Sequence, residues 1–299
     1  MSQPMSSSKL RIITMSRNDI DIAVNWAANE GWNPGLHDAD SFYSADPDGF
    51  LMGRLDDKPV SIVSAIRYGD TFGFIGFYIV KPEFRGSGYG MQVWKAGMKR
   101  LEGRNIGLDG VIEQQSNYQK SNFNFAYNNI RQRGNVGDIL KVKRKPTNTD
   151  IFSDNFQIAD LASISFDEIE KYDRQFFPDD RTVFLKSWLN QSENIALGII
   201  SNGALCGWGM IRPCREGYKI GPLYADQPSQ AESLLVELAT RIAPSSSIFL
   251  DTPKINNQAI SLASKYGMTP VFETARMYTK AAPDLPMEKY FGVTSFELG

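Results

Sequence analysis

One order of elements runs through this chain twice, and that recurrence constrains the fold more than any single motif. In the first pass residues 10–15 ("LRIITM") read as a short apolar strand. Residues 17–30 carry apolar side chains at helical spacing behind Ser16, a suitable N-cap. Residues 50–55 and 59–68 read as a hairpin about Asp56, Asp57 and Lys58, and 72–80 as a long strand ended by Pro82. A helix over 88–101, a strand over 107–112 and a helix over 118–128 follow. A polar stretch from Pro146, "PTNTDIFSD", then reads as a linker. The second pass has helices over 166–177 and 182–189, and a hairpin of 195–201 with 205–213 about Asn202-Gly203. A strand (218–224), helix (230–241), strand (248–251), helix (257–266) and final strand (271–278) complete it. The spacing predicts an α/β chain of two similar domains, 1–148 and 149–299, although the halves share little letter-for-letter identity.

With 299 residues there is room for two domains, each with its own core. The net charge of −2 argues against nucleic acid as an electrostatic partner. No apolar run approaches the ~20 residues that span a bilayer, and the start, "MSQPMSSSKL", lacks the apolar core of a secretory signal. Cys206 and Cys214 make neither a disulfide framework nor a CxxC spacing, and the lone His37 cannot anchor a multi-histidine site. These counts point to a cytoplasmic, metal-free protein with no membrane partner.

The densest motif is "VKPEFRGSGYGMQVW" (80–94), with three glycines in five positions between a strand and a helix. No lysine follows them as a Walker loop requires. The spacing is G-x-G-x-G rather than G-x-G-x-x-G, and Asp109, about 20 positions on, follows hairpins rather than repeated βαβ units. What remains is Arg85-x-x-Gly88-x-Gly90. Glycines admit a pyrophosphate close to backbone amides, the helix beginning near Gly88 offers its positive end, and Arg85 or Lys81 adds charge. A turn serving only tight packing is the competing reading.

That motif, after a strand ending in Val-x-Pro-x-Phe, resembles the acyl-CoA loop of the GNAT N-acetyltransferases. The family places a tyrosine downstream in a Tyr-x-x-x-Gly-Phe setting; Tyr118 and Phe123 match it, with Asn122 replacing the glycine. "NEGWNPG" (29–35), "GLDGV" (107–111), "RPCREGYKIGPLYAD" (212–226) and "FGVTSFELG" (291–299) extend the resemblance to a tandem GNAT subfamily. It implies an α/β (α+β) fold with a mixed central sheet of splayed strands, two GNAT-like domains in tandem, and acetyl-CoA as co-substrate. Phe77, Tyr78, Ile79 and Val80 would pair with the pantetheine arm, and Arg85, Gly86, Ser87, Gly88, Tyr89 and Gly90 would hold the pyrophosphate. Tyr118 would give a proton to the departing thiolate.

Acetyl transfer needs a neutral amine, and an amine of pKa ~10.4 is neutral about once in 2,500 at pH 7, a deficit of roughly 4–5 kcal/mol. A nearby carboxylate recovers part of it. Glu30, ending the first helix, is a candidate base and equally a solvated helix-end residue. Trp32 and Asn33 are candidates to shape the acceptor pocket, or serve only a structural turn. His37, beside Asp38, reads as a surface residue. The amides near Ile79 and Val80 are placed to polarise the thioester carbonyl.

The second half has no glycine at the matching loop (Asp226 to Glu232), and Ala263 stands where Tyr118 would be. It is therefore expected not to bind acetyl-CoA. Its Arg215, Glu216, Tyr218, Lys219, Asp226 and Asp251 make either an acceptor pocket, with Tyr218 and Asp251 binding substrate, or a structural salt-bridge network. The tail 291–299 alternates apolar residues and is expected to add a strand or dock between domains. A non-catalytic acyl-CoA sensor remains the rival to an N-acetyltransferase acting on a small amine. The acceptor and the oligomeric state stay open.

Overall fold

The computed structural model describes residues 9–143 and 156–299; the linker expected from Pro146 lies outside them. The first half contributes β1 (Arg11–Thr14), α1 (Arg17–Asn29), α2 (Asp38–Ala45), β2 (Phe50–Leu55), β3 (Lys58–Tyr68), β4 (Phe72–Val80), α3 (Tyr89–Arg100), β5 (Asn105–Val111), α4 (Gln115–Gln119), β6 (Asn124–Asn135) and α5 (Val136–Lys143). The second contributes β7 (Phe156–Asp160), α6 (Phe166–Asp173), α7 (Thr182–Leu189), β8 (Ile195–Ser201), β9 (Ala204–Pro213), β10 (Tyr218–Ala225), α8 (Pro228–Thr240), β11 (Ser247–Pro253), α9 (Asn257–Lys265), β12 (Thr269–Tyr278) and β13 (Tyr290–Gly292).

Local chemistry accounts for many of the boundaries. Ser16 and Asp19 form a capping box, with the Ser16 amide donating to Asp19 Oδ2 at 2.8 Å. Both hairpins turn on left-handed pairs, Asp56 and Asp57 at φ +45° and +63° and Asn202 and Gly203 at +51° and +77°. Two consecutive positive φ values match the right-handed twist of the flanking strands.

The expected helix over 118–128 is corrected. The helix ends at Gln119, Asn122 turns left-handed at φ +65°, and Asn124–Asn135 is a central strand. Three of its four consecutive buried residues are polar, Asn129, Arg131 and Gln132 beside Ile130, so it lacks the apolar signature of a buried strand.

The strands join one continuous sheet, ordered β1-β2-β3-β4-β5-β12-β6-β11-β10-β9-β8-β7, with β13 against β10. Among the described residues, only the β4–β5 and β10–β11 pairs are parallel. The last long strand of the second half, β12, lies between β5 and β6 of the first, while β6 reaches over to pair with β11. Each half therefore borrows a strand from the other, and the halves are interlocked rather than merely linked.

One apolar cluster lies beneath α3, a second beneath α8 and α9, and the largest combines Phe42, Phe74 and Phe77 with Trp188, Tyr224 and Tyr290 from the other half. Buried ion pairs cross the same seam. Asp38 meets Arg212 at 2.8 Å, Asp251 meets Arg131 at 2.7 Å and Asp109 meets Arg276 at 2.6 Å. Buried pairs contribute little net stability but fix register, because either partner left alone is costly. The tail 290–299 is buried throughout. It both adds β13 and docks between the halves, where the Tyr68 hydroxyl donates to the Leu298 carbonyl at 3.1 Å.

Candidate active site

β4 and β5 run parallel and stay paired only as far as Phe74 opposite Gly107. Beyond that point β4 keeps its hydrogen bonds to β3 alone. The β3–β4 register shifts between Ile62 and Ser64, and Phe77 is held left-handed at φ +46°. A bulge of this kind bends a strand and leaves backbone groups without a ladder partner. Between the diverging strands opens a cavity of about 640 Å³.

Phe77, Tyr78, Ile79 and Val80 line it from β4. Below them the chain makes one 3-10 turn, Pro82–Phe84, and enters the glycine loop. Gly86 and Gly88 both sit at φ +79°, and a Cβ on either would meet nothing within 4 Å. These two glycines are required by conformation, and both line the cavity. Gly90 is required by contact: a Cβ there would lie 2.7 Å from the Tyr78 hydroxyl and from Val80. Gly88 is the N-cap of α3 and offers no side-chain cap, so the first amides of the helix are left to an external acceptor. This cradle of uncapped amides and open glycines fits the pyrophosphate of a CoA-type molecule. Ser87 is exposed in the loop and Tyr89 packs on Phe84, and neither forms part of the wall. Lys81 lies over the Trp26 ring at 5.4 Å.

Tyr118 closes the other side from α4. Its ring stands 5.6 Å from that of Trp94 and against Gly110, where any Cβ would clash with it. Burial, with a smaller contribution from Tyr78, pushes its phenol up to about 12, so it is protonated at neutral pH. Glu30 and Trp32, at the end of α1, also reach the cavity, and Glu30 is ion-paired with Arg85 across its mouth. Arg85 additionally donates to the Val80 carbonyl at 2.9 Å.

The other expected residues lie elsewhere. Asn33, left-handed at φ +51°, fastens the halves together: its Nδ2 donates to the Glu216 carbonyl at 3.1 Å and its Oδ1 accepts from the Glu216 amide at 2.8 Å. Asp251 is buried in a bidentate pair with Arg131 (2.7 and 2.8 Å), which holds its carboxyl below the usual range against the effect of burial. Tyr218 packs on the core beneath α8. Arg215 donates to Asn25 Oδ1 at 2.6 Å, and Glu216 pairs with Arg133. Lys219 is buried with its ammonium lowered by desolvation. Asp226 accepts from the Tyr172 hydroxyl and from Lys289, both at 3.1 Å. His37 lies 4.0 Å from Glu193.

Sequence reasoning missed the far wall. Phe272 and Thr274 come from β12, Phe296 and Glu297 from the tail, and Asp109 from β5. Asp109 is committed to Arg276 and Asn129, which removes it as a ribose ligand. The alternating tail was the one local signal of that wall. Among the described residues no cluster of His, Cys, Asp and Glu is arranged to hold a metal, and no helix is long and apolar enough to cross a membrane.

The acetyltransferase (GNAT) family model matches residues 19–122, and an acetyltransferase (GNAT) domain model matches 169–292. Holothin acyltransferase of Pseudoalteromonas sp. (strain SANK 73390) is 30% identical over 284 residues, 95% of this chain and 92% of that protein. A solved structure from Pyrococcus horikoshii superposes with a TM-score of 0.76 at 20% identity, covering 100% of this chain and 99% of that one. A tandem GNAT protein from the clavulanic acid biosynthesis pathway gives a TM-score of 0.61 at 12% identity over 92% and 100% of the two chains. The two structures speak to the fold alone.

Proposed function

The chain belongs to the acetyltransferase (GNAT) family, with two such domains in tandem, and we propose that it moves an acetyl group from acetyl-CoA to an amine held in the cavity of its first half. The observation that carries this reading is the joining of three features on one cavity: the β4–β5 splay, the uncapped start of α3 behind Gly86 and Gly88, and the Tyr118 phenol.

In this reading the pantetheine arm lies along the free edge of β4, and the amides near Ile79 and Val80 face the thioester oxygen. The amine attacks, the carbon–sulfur bond breaks, and Tyr118 stands beside the departing sulfur. A phenol at about 12 cannot simply protonate a thiolate whose acid has a pKa of ~8.5; that transfer is uphill by roughly 5 kcal/mol. Tyr118 therefore donates a hydrogen bond to the sulfur while the proton released by the amine passes to it. Glu30 acts less as a free base than as the partner that holds Arg85 at the cavity mouth.

The direct test is release of free thiol from acetyl-CoA by the purified full chain in the presence of an amine panel. Amine-dependent release supports the assignment. Tight CoA binding with no release from any amine would convert it to an acyl-CoA sensor.

A further inference from the structure

Among the described residues, every buried carboxylate but one has an arginine against it. Asp38, Asp109, Asp173 and Asp251 lie 2.6 to 2.8 Å from Arg212, Arg276, Arg181 and Arg131 in turn. Glu297 is only 3% exposed, yet no cationic side chain of the described residues comes within 4 Å of it. Arg131 and Lys219 feel its charge from farther off, but Arg131 is already committed to Asp251 and to the Trp32 carbonyl. Burying a carboxylate without a partner is costly, and an unpaired one beside a cavity is a candidate for function.

The fold fixes this carboxylate and leaves it open. Ser295 Oγ accepts from the Glu297 and Leu298 amides at 3.0 and 3.3 Å and donates to Glu297 Oε2 at 2.7 Å. Oε1 has no partner among the described residues and is not sealed off, so it borders open space. The open space at this residue is the cavity, which Glu297 lines. The Glu297 backbone lies against Gly76, where any Cβ would clash with its carbonyl. Gly76 immediately precedes Phe77, the left-handed residue of β4, just beyond the last pairing with β5. The tail thus brings a carboxylate to the root of the splay, in the cavity that Tyr118 and β4 also line.

Resting on the acetyl-transfer reading above, we infer that Glu297 is a catalytic residue whose carboxylate meets the acceptor amine and takes a proton from it. An alkyl amine arrives as an ammonium, with two protons more than the product amide keeps. One passes to Glu297, and from there to solvent when the products leave. The lone pair so freed forms the bond to the thioester carbon, and the carbon–sulfur bond breaks with its electrons on sulfur. The second proton ends on sulfur, giving amide and CoA thiol. The tail of the second half thereby supplies the base for the first, where Glu30 is tied to Arg85.

The test follows thiol release from acetyl-CoA by the full chain at pH 7. The acceptors are propylamine, Nα-acetyl-lysine and spermidine, all ammonium ions at that pH, and O-ethylhydroxylamine, a neutral isostere of propylamine. Glu297→Gln keeps the size and an oxygen for Ser295 but cannot take a proton. It should lower kcat/KM for the alkyl amines at least about 100-fold and leave acetyl-CoA affinity by calorimetry within about twofold. O-ethylhydroxylamine needs no deprotonation before it attacks, and its loss should be at least about tenfold smaller. Alkyl-amine turnover within about threefold of the parent, a parallel loss of acetyl-CoA affinity, or an equal loss for both kinds of amine overturns the inference while acetyl transfer stands. So does a parent that uses O-ethylhydroxylamine alone. Silence of the parent with every amine overturns acetyl transfer itself, and the inference with it.

Discussion

The two halves open the same cleft and treat it in opposite ways. In each, two parallel strands diverge after a short paired stretch, β4 from β5 beyond Phe74 and β10 from β11 beyond Ile220. In the first half the gap is a cavity. In the second it is filled by the chain itself: β13 pairs with β10 through Leu223 and Tyr224, and the Val293 amide donates to the Asp251 carbonyl at 2.8 Å. The helix starts differ in the same sense. Gly88 leaves the amides of α3 uncapped, whereas Gln227 and Gln230 cap α8 reciprocally and Ala263 sits buried where a tyrosine would reach the cleft. A binding cleft becomes a structural joint when its backbone groups and helix end are satisfied from within.

The largest expected effect lies at Asp251, on the filled side. If that side is structural, Arg131→Met leaves a buried carboxylate unpaired and should cost about 3–5 kcal/mol in urea unfolding. If instead Asp251 binds acceptor, stability would change by less than about 1 kcal/mol and the acceptor KM would rise. The complementary test lies on the open side. Gly88→Glu places a side chain at φ +79° and a negative charge in the cradle, so acetyl-CoA affinity by calorimetry should fall at least about 100-fold. Wild-type affinity would mean that the uncapped helix end is not the pyrophosphate site.

Chemistry distinguishes the halves by a smaller margin. Tyr118→Phe keeps the ring against Trp94 and Gly110 but removes the hydroxyl that the proposed reaction places beside the sulfur. A charge-assisted hydrogen bond of about 2 kcal/mol corresponds to roughly 30-fold in kcat, with the affinity for acetyl-CoA unchanged. Full turnover would leave the first half with a binding cleft and no assigned donor.

What the sequence disclosed was local. Turns, caps and the glycine loop are written in neighbouring residues, and Ser16, Asp56-Asp57 and Asn202-Gly203 could be read directly. The strand β6 could not, because its buried stretch carries Asn129, Arg131 and Gln132, whose partners Asp109, Asp251 and Thr252 lie 20, 120 and 120 positions away. The exchange of β6 and β12 between the halves has the same cause: no local pattern specifies a partner in the other half. The far wall of the cavity depends on that exchange, so Thr274 and Phe272 were invisible as site residues. Asp251 and Tyr218 looked like pocket residues because charge and aromaticity in a strand do not reveal whether a partner already waits.

The smallest expected effect tests the plug itself. A Cβ at Gly292 would lie 2.7 Å from Leu250 and 3.0 Å from Leu223, the side chains on either side of the second splay. Gly292→Ala should therefore overpack the joint and cost about 1–2 kcal/mol. Because the glycine loop and the start of α3 lie away from the tail, which lines only the far wall of the first cleft through Phe296 and Glu297, the variant should still bind one acetyl-CoA per chain with affinity within about twofold of the parent. Two molecules bound per variant chain would mean that loosening the tail uncovers a second CoA site. That cannot happen if the reciprocal cap on α8 and the glycine-free loop exclude a pyrophosphate on their own. Stoichiometry by calorimetry thus separates a cleft that is closed only by its plug from one that has lost the means to bind.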